Sequence, residues 1–169
     1  MRRISHGPRR QRGMTLVMAA VFLLCMAMLG AWSLSSNALQ ERMAGNTRNR
    51  DLALQAAEAA LKDAEFTVST WRTETFNGTN GLLVYVATQA NDKAYWQNAS
   101  RWTSYRSVPT GGLNQVAEAP KYVIEKMPNT VNPSNPALTD VENYRVTARA
   151  VGGDANAVVI LQSIIQYIP

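Results

Sequence analysis

Few side chains in this sequence are of the kinds that carry out catalysis or bind metals. The only histidine, His6, lies in an arginine-rich leader, and the only cysteine, Cys25, lies inside a long apolar run. If the leader is removed, no imidazole remains for a nucleophilic triad or a histidine-ligated metal. Cys25 would face lipid or another helix, where no base can activate it, and no P-loop or G-x-G-x-x-G motif occurs. The sequence therefore predicts that the protein is not an enzyme and holds no metal or cofactor.

Acidic and aromatic side chains in the C-terminal part raise two further possibilities. Three acids lie in predicted loops and could contact Ca²⁺, but they lack EF-hand spacing, so solvated loops are favoured. The acids are Asp140, Glu142 and Asp154. Four aromatic residues lie close together in the sequence and could bind a ligand, but such clusters more often pack a small domain. The aromatic residues are Tyr95, Trp96, Trp102 and Tyr105.

The positive charge is concentrated at the N-terminus. The net charge is +5, and five arginines with no acid fall within the first 13 residues. The remaining residues hold 12 basic and 12 acidic side chains and are formally neutral. The basic character therefore belongs to the leader and not to a binding surface, and we predict no nucleic-acid partner.

A long apolar run follows this leader, with no charged side chain between Arg12 and Glu41. Residues 16–34 alone supply 19 positions, and about 20 helical residues span the hydrocarbon core of a membrane. Arginines on the N-terminal side place that end in the cytoplasm by the positive-inside rule. We therefore predict a single-pass protein of the bacterial inner membrane, with its C-terminal domain in the periplasm.

The apolar segment could be processed in three ways. It could be a secretory signal that is cut off, since Ser36, Asn37 and Ala38 include the small residues that signal peptidase requires. It could be an uncut signal anchor. It could also be a segment that is kept while the leader before it is removed.

The third form has support from residues at the start of the run. Gly13 directly precedes it, and Met14, Thr15 and Leu16 begin it. This resembles the prepilin pattern of a basic leader, a glycine, a methionine or other apolar residue, threonine and leucine. The resemblance implies that a prepilin peptidase cuts between Gly13 and Met14 and that the new amino terminus on Met14 is methylated. Glycine suits such a site because no side chain blocks the approach of a protease.

Position 18 departs from the prepilin pattern. Most pilins carry glutamate as the fifth residue after the cut, whereas this sequence has Met18. In pilins the glutamate is thought to pair with the amino terminus of a neighbouring subunit. A carboxylate in lipid is costly, so its presence or absence is informative. Its absence here resembles the subunit at the tip of a pilin filament.

An amphipathic helix is predicted to continue the apolar run through residues 37–69. Five small or apolar residues recur every fourth position, which gives one face of a helix suited to close packing. They are Leu52, Ala56, Ala60, Ala64 and Val68. Gly45 and Asn46 interrupt the pattern, either as a tolerated glycine or as a bendable joint.

This helix also carries the most specific motif in the chain. It contains ERMAGN at residues 41–46, then Arg48, Arg50 and Asp51, then QAAEAAL at residues 55–61. These residues are similar to the N-terminal signature of the PilX family of type IV pilus assembly proteins. The resemblance implies an assembly helix whose motif residues act in filament formation. They are Glu41, Arg42, Gly45, Asn46, Arg50, Ala56, Ala57 and Glu58.

The C-terminal region is predicted to form a small sheet. Strands are expected at residues 82–88, 121–126, 144–151 and 157–167, with a hairpin turn at residues 152–156. Pro128, Pro133 and Pro136 predict a loop between the second and third strands. Three to four antiparallel strands covered by the N-terminal helix give an α+β, pilin-like fold. The predicted parts are a removed leader (1–13), a transmembrane helix (14–36), its amphipathic continuation (37–69) and a periplasmic domain (70–169).

The resemblance implies a minor pilin that acts in the priming or tip complex of a type IV pilus, and hence in twitching motility and surface adhesion. The implied partners are the inner membrane, other minor pilins and the major pilin, prepilin peptidase, the pilus assembly platform and a PilY-type tip adhesin. One alternative is a pseudopilin of a type II secretion system, although the tip subunit there usually carries a larger inserted domain. Another is a periplasmic binding module anchored in the inner membrane.

Overall fold

The computed structural model describes residues 13–89, 92–109, 113, 115–131 and 141–168. It divides the chain into two compact units, Met1–Gly45 and Asn46–Pro169, and each unit is treated separately below. Helix α1 (Met14–Phe66) contributes residues to both units. Predicted features at His6, Pro133, Pro136 and Asp140 lie outside the described residues.

The described part of the first unit is helical from Met14 onward. Leucine, methionine and alanine are strong helix formers, and they dominate the sequence here. By length and composition, α1 is able to cross a membrane. Gly30 and Gly45 both lie within α1, and a side chain added at either would meet no atom within 4 Å. Both glycines are thus compatible with helix, and the bendable joint at Gly45 stays a prediction.

A five-stranded mixed sheet forms the centre of the second unit. Its long strands are β3 (Glu118–Lys126), β4 (Glu142–Val151) and β5 (Val158–Tyr167), which pair in antiparallel order. Two short strands, β1 (Leu82–Leu83) and β2 (Arg106–Ser107), pair with β3, and β1 runs parallel to it. The predicted α+β class with a long helix on a small sheet is confirmed. The strand predicted at residues 82–88 is shorter than expected, and β1 makes the sheet mixed instead of wholly antiparallel.

Helix α1 packs on one face of this sheet through a stripe of alanines. Each of them is 0% exposed. The stripe consists of Ala53, Ala56, Ala57, Ala60 and Ala64. Ala60 and Ala64 share a cluster with Tyr144 and Val146 of β4. The predicted small-residue face is therefore the face that packs against the chain's own sheet.

Short helix α2 (Val68–Trp71) ends in a residue that anchors the end of α1. The Trp71 ring is fully buried and meets the Tyr144 ring edge-on, with 4.8 Å between the ring centres. Its Nε1 donates a hydrogen bond to the Ala64 carbonyl oxygen over 2.7 Å. Burial of the indole therefore leaves no unpaired donor, which would otherwise be costly.

A second layer covers the opposite face of the sheet. It contains α3 (Lys93–Gln97) and two 3₁₀ turns, Ala87–Gln89 and Ala99–Arg101. Trp96 and Trp102 are buried there and pack against Val123 of β3. Their indole nitrogens donate to the backbone oxygens of Gln89 and Trp96. These two aromatic residues therefore pack the domain, as the sequence predicted, and β3 is buried on both faces.

The turn between β4 and β5 contacts the backbone of α1 within the second unit. A Cβ placed on Gly152 would lie 2.1 Å from the Asn49 carbonyl oxygen, which is far inside van der Waals contact. Arg48 of the same helical turn donates to the Gln115 side-chain oxygen over 2.9 Å. Glycine at position 152 therefore allows the hairpin turn to approach the helix.

Replacing Gly152 with alanine should destabilise the second unit. We expect Gly152→Ala to lower the free energy of unfolding by about 2 kcal/mol, because the methyl group must displace main-chain atoms and not a flexible side chain. Denaturant unfolding of the full chain in detergent, followed by tryptophan fluorescence, measures this. The matched control is Gly45→Ala, which meets no atom and should be neutral or stabilising by up to about 1 kcal/mol. Equal stability of Gly152→Ala and the parent chain would contradict the contact.

Candidate assembly surface

The apolar part of α1 exposes its side chains. Every residue from Met14 to Ser33 is exposed, and Met18 is 58% exposed. Exposure of apolar area to water costs about 25 cal/mol per Å². A surface of this size is therefore typical of a segment that lies in lipid or against other apolar helices. It carries no acid that could pair with the amino terminus of a neighbouring chain.

Gly13 lies immediately before the first residue of α1. Its carbonyl oxygen accepts a hydrogen bond from the Val17 amide over 3.4 Å, which begins the helical ladder. Its backbone does not adopt a positive φ, and an added Cβ would meet no atom of the described residues within 4 Å. The fold therefore gives no reason for a glycine at this position.

The motif residues of α1 divide between two environments. Those in the first unit are exposed, and they are Glu41, Arg42 and Gly45. In the second unit Asn46, Arg50 and Glu58 are exposed, whereas Ala56 and Ala57 are fully buried in a cluster with Ala150 of β4. Ala56 and Ala57 thus pack against the chain's own sheet and are not accessible to another protein. The exposed members remain accessible to another subunit.

Sequence reasoning missed Asn49 and Gly152 as partners. Asn49 lies between the motif residues Arg48 and Arg50, and Gly152 opens the predicted hairpin turn. The two are far apart in the sequence, and no spacing rule connects them. The signal available was the glycine pair at residues 152–153, because a glycine in a turn often marks a place where another backbone approaches closely.

Buried charge lies on the sheet face opposite α1. Arg145 of β4 and Glu125 of β3 have side chains that are 2% and 1% exposed. The guanidinium donates to both carboxylate oxygens, over 2.7 Å from Nε and 2.8 Å from Nη2. The Arg145 Nη1 is buried without a partner among the described residues. This two-pronged pair joins the two central strands, β3 and β4.

Glu142, at the start of β4, is held by three donors. Lys126 donates over 2.9 Å, Tyr144 over 2.9 Å and Arg72 over 3.2 Å. The hydrogen bond from Lys126 is the main cause that lowers the pKa of the Glu142 carboxyl below its ordinary value. Burial raises the pKa of the Tyr144 hydroxyl, and the neighbouring Glu142 raises it further. Glu142 therefore stays ionised and Tyr144 stays protonated. The carboxylate joins β3, β4 and the segment after α2 through its three hydrogen bonds.

A metal centre has no support in the described residues. They contain no group of three histidine, cysteine, aspartate or glutamate side chains placed to hold an ion. Of the three acids considered as calcium ligands, Glu142 is bound by its donors, and Asp154 accepts hydrogen bonds from Asn156 within the hairpin turn.

Comparison with known proteins gives two family matches. A family model described as type IV pilus assembly protein PilX C-term matches residues 43–167. A second, described as PilX N-terminal, matches residues 12–62. No curated protein and no solved structure matches the chain. Together the two family matches extend from just before Gly13 to the end of β5.

Proposed function

Because this chain belongs to the PilX family of type IV pilus assembly proteins, we propose that it is a minor pilin of the priming or tip complex. The observation that carries the proposal is the pair of family matches, which together cover both the apolar helix and the sheet. An exposed apolar helix of membrane-spanning length fits a subunit that is stored in lipid and later packed into a filament.

The proposed route begins in the inner membrane. The arginine-rich leader stays in the cytoplasm, and the domain that follows the apolar helix lies in the periplasm. Prepilin peptidase cuts between Gly13 and Met14, and the amino group of Met14 is methylated. On assembly, contacts with neighbouring pilin helices replace the lipid around the exposed apolar residues. The gain of such a transfer comes from packing, because lipid and apolar side chains are similar as solvents.

The proposed partners follow from this route. The exposed motif residues, including Glu41, Arg42 and Arg50, are available to other minor pilins and to the major pilin. The assembly platform would receive the complex from the membrane, and a PilY-type adhesin would be presented at the tip. Twitching motility and adhesion would depend on the protein through the number of filaments that it allows to form.

Deletion of the gene tests this role directly. We expect a deletion strain to lose most surface pili and its twitching zone, because filament growth would lack a primer. Piliation is measured by shearing filaments from cells and quantifying the major pilin, with the chain restored from a plasmid as the control. Normal piliation in the deletion strain would contradict the proposed role in pilus assembly.

A tip position is the second part of the proposal and rests on Met18. A subunit with no carboxylate at this position cannot pair with the amino terminus of a neighbour in the manner expected along a pilin shaft. We expect gold-labelled antibody against the native chain to mark one end of sheared filaments, at about one cluster per filament. Filaments from the parent strain treated with a gold-labelled antibody of unrelated specificity control for background. Labelling along the whole shaft would refute the tip position while leaving a role in assembly intact.

A further inference from the structure

Strand β5 forms a free edge of the sheet. The strand order is β1, β3, β4, β5, and within the described residues β5 pairs with β4 alone. The pairing is continuous from Glu142 opposite Tyr167 to Val151 opposite Val158, without a bulge. A row of backbone groups along the other side of β5 therefore has no partner strand in the described chain.

The hydrogen-bond pattern identifies which groups these are. The Gly152 amide donates to the Ala157 carbonyl oxygen over 2.8 Å, so this opposed pair is hydrogen-bonded. Hydrogen-bonded pairs alternate along an antiparallel ladder. The amides and carbonyls of odd-numbered β5 residues therefore point toward β4. Those of the even-numbered residues point away from β4, and these residues are Val158, Ile160, Gln162, Ile164 and Gln166. The Val158 amide already donates to the Asn156 carbonyl oxygen over 3.1 Å, so the outward amides open to a partner begin at Ile160.

The usual protections of an edge strand are missing from β5. Natural edges are commonly blocked by charged side chains, proline, bulges or short length. β5 has ten residues, VVILQSIIQY, none of which is charged or proline. Ile164 on this strand is 58% exposed. An edge of this kind is suited to pair with another strand.

A groove lies along the first half of this edge. It has a volume of about 680 Å³ and is lined by five consecutive β5 residues, 158–162. Thr147 and Arg149 of β4 and Trp96 of α3 line it too, so the groove extends from the sheet face covered by α3 to the β5 edge, where it touches strand residues that point to both faces. Arg50 of α1 and Lys93 of α3 also line it. The groove therefore combines free backbone groups with side chains from both flanking layers.

The charge of this groove is positive. Its basic side chains are Arg50, Lys93 and Arg149, and its one acid is Asp92. Asp92 already caps α3 by accepting the Tyr95 amide. Arg50 and Lys93 form no ion pair with any described acid. Arg149 is bound to Glu118 through Nη1 over 3.1 Å, but its Nε is buried with no partner among the described residues.

From this combination we infer that β5 is a docking edge for an extended, acidic segment of a partner protein, which binds as an added strand. Backbone hydrogen bonds to the even-numbered residues supply the affinity, and carboxylates that meet Arg50 and Lys93 supply the specificity. A second copy of this chain fits less well, because β5 carries no acid to offer to these cations. The inference goes beyond the proposed function and does not depend on the position of the protein in a filament.

Peptide binding to the full chain in detergent micelles tests the inference. The probe is a fluorescent ten-residue peptide that alternates valine and glutamate, and the comparison peptide has lysine in place of each glutamate. Fluorescence anisotropy gives the two affinities. We expect the glutamate peptide to bind about ten-fold or more tightly than the lysine peptide, and Lys93→Glu to remove that preference. Equal binding of both peptides to the parent chain, or no binding of either, would overturn the inference.

A pair of variants at Gln162 separates strand addition from simple charge attraction. Gln162→Pro removes one outward amide without removing a hydrogen bond to β4, whereas Gln162→Ala keeps that amide and loses the same side chain. We expect the proline variant to bind the glutamate peptide about ten-fold more weakly and the alanine variant to bind it normally. Tryptophan fluorescence checks that both variants fold. If the proline variant does not, a glutamate peptide with N-methylated backbone amides at alternate residues replaces it, because that peptide keeps its charge but cannot add as a strand; its unchanged binding to the parent chain would refute strand addition. Unchanged binding by a folded Gln162→Pro variant would refute strand addition, as would self-association in place of peptide binding. Failure of either binding experiment would not affect the proposed role in pilus assembly, which the piliation of the deletion strain tests separately.

Discussion

Replacing Gly13 with valine should leave the leader attached to the chain. The expected loss of processing is about 100-fold, because a branched side chain beside the scissile bond misplaces the backbone in a protease site. Intact mass or N-terminal sequencing of the membrane-bound protein measures the fraction that begins at Met14. Cells that make only this variant should then have few or no pili, because an uncut leader keeps a charged segment on the end that enters the filament in the proposed route.

The structure makes Gly13 a clean position for this experiment. No atom of the described residues lies within 4 Å of a Cβ added at Gly13, so we expect the substitution to leave the fold of the described chain unchanged. Gly30→Val is the matched control, because Gly30 also has free space around it but lies within α1. It should be processed as the parent chain is. A parent chain that begins at Met1, or at Ala38 or later, would exclude cleavage at Gly13.

The second large effect is expected from the buried pair of Glu125 and Arg145. Glu125→Gln should lower the free energy of unfolding by about 3–5 kcal/mol, because it leaves a buried guanidinium without a counter-charge. The effect should be near the upper end of that range, since the Arg145 Nη1 already lacks a partner among the described residues. Urea unfolding of the full chain in detergent, followed by tryptophan fluorescence, gives the value.

Two further variants show whether the loss comes from the unpaired charge. Glu125→Leu with Arg145→Leu removes both charges and should recover much of the stability. Glu74→Gln breaks the ion pair with Arg106, whose two side chains are 37% and 21% exposed, and should cost less than about 1 kcal/mol. If Glu125→Gln costs no more than Glu74→Gln, the pair does not hold the central strands together.

The sequence was informative where a local pattern decides the structure. The alternation in residues 144–151 separates Tyr144 and Val146 from Arg145 and Thr147, and the structure places these two pairs on opposite faces of β4. The four-residue recurrence of alanine predicted a face for close packing, and that face meets the sheet. Both patterns express the geometry of a single element, which neighbouring residues are sufficient to specify.

Long-range packing decided the features that were not predicted. Arg145 belongs to the polar side of β4, yet it is buried because the layer that contains Trp96 covers that face. The strand at residue 82 ends after two residues, since only Leu82 and Leu83 find partners on β3. Local propensity in the segment LLVYVAT could not reveal where its partner strand ends.

The candidate site shows the same division. Cleavage after Gly13 and a tip position inferred from Met18 were both predicted from residues near each other in the sequence, and both stay predictions. The groove beside β5 combines residues from three parts of the chain, including Arg50, Lys93 and Gln162. No motif joins those parts, so only the fold could place them together.

The alanine stripe of α1 has a consequence for how the chain folds during its synthesis. The stripe ends at Ala64. The strands that cover it include β4, which ends at Val151, and β5, which ends at Tyr167. During synthesis from the N-terminus, the alanine stripe is therefore made well before the strands β4 and β5 that will cover it. Closing such distant contacts is slow compared with forming a helix. The nascent chain thus passes through an interval in which a chaperone, or another pilin helix, can occupy the stripe before its own sheet does.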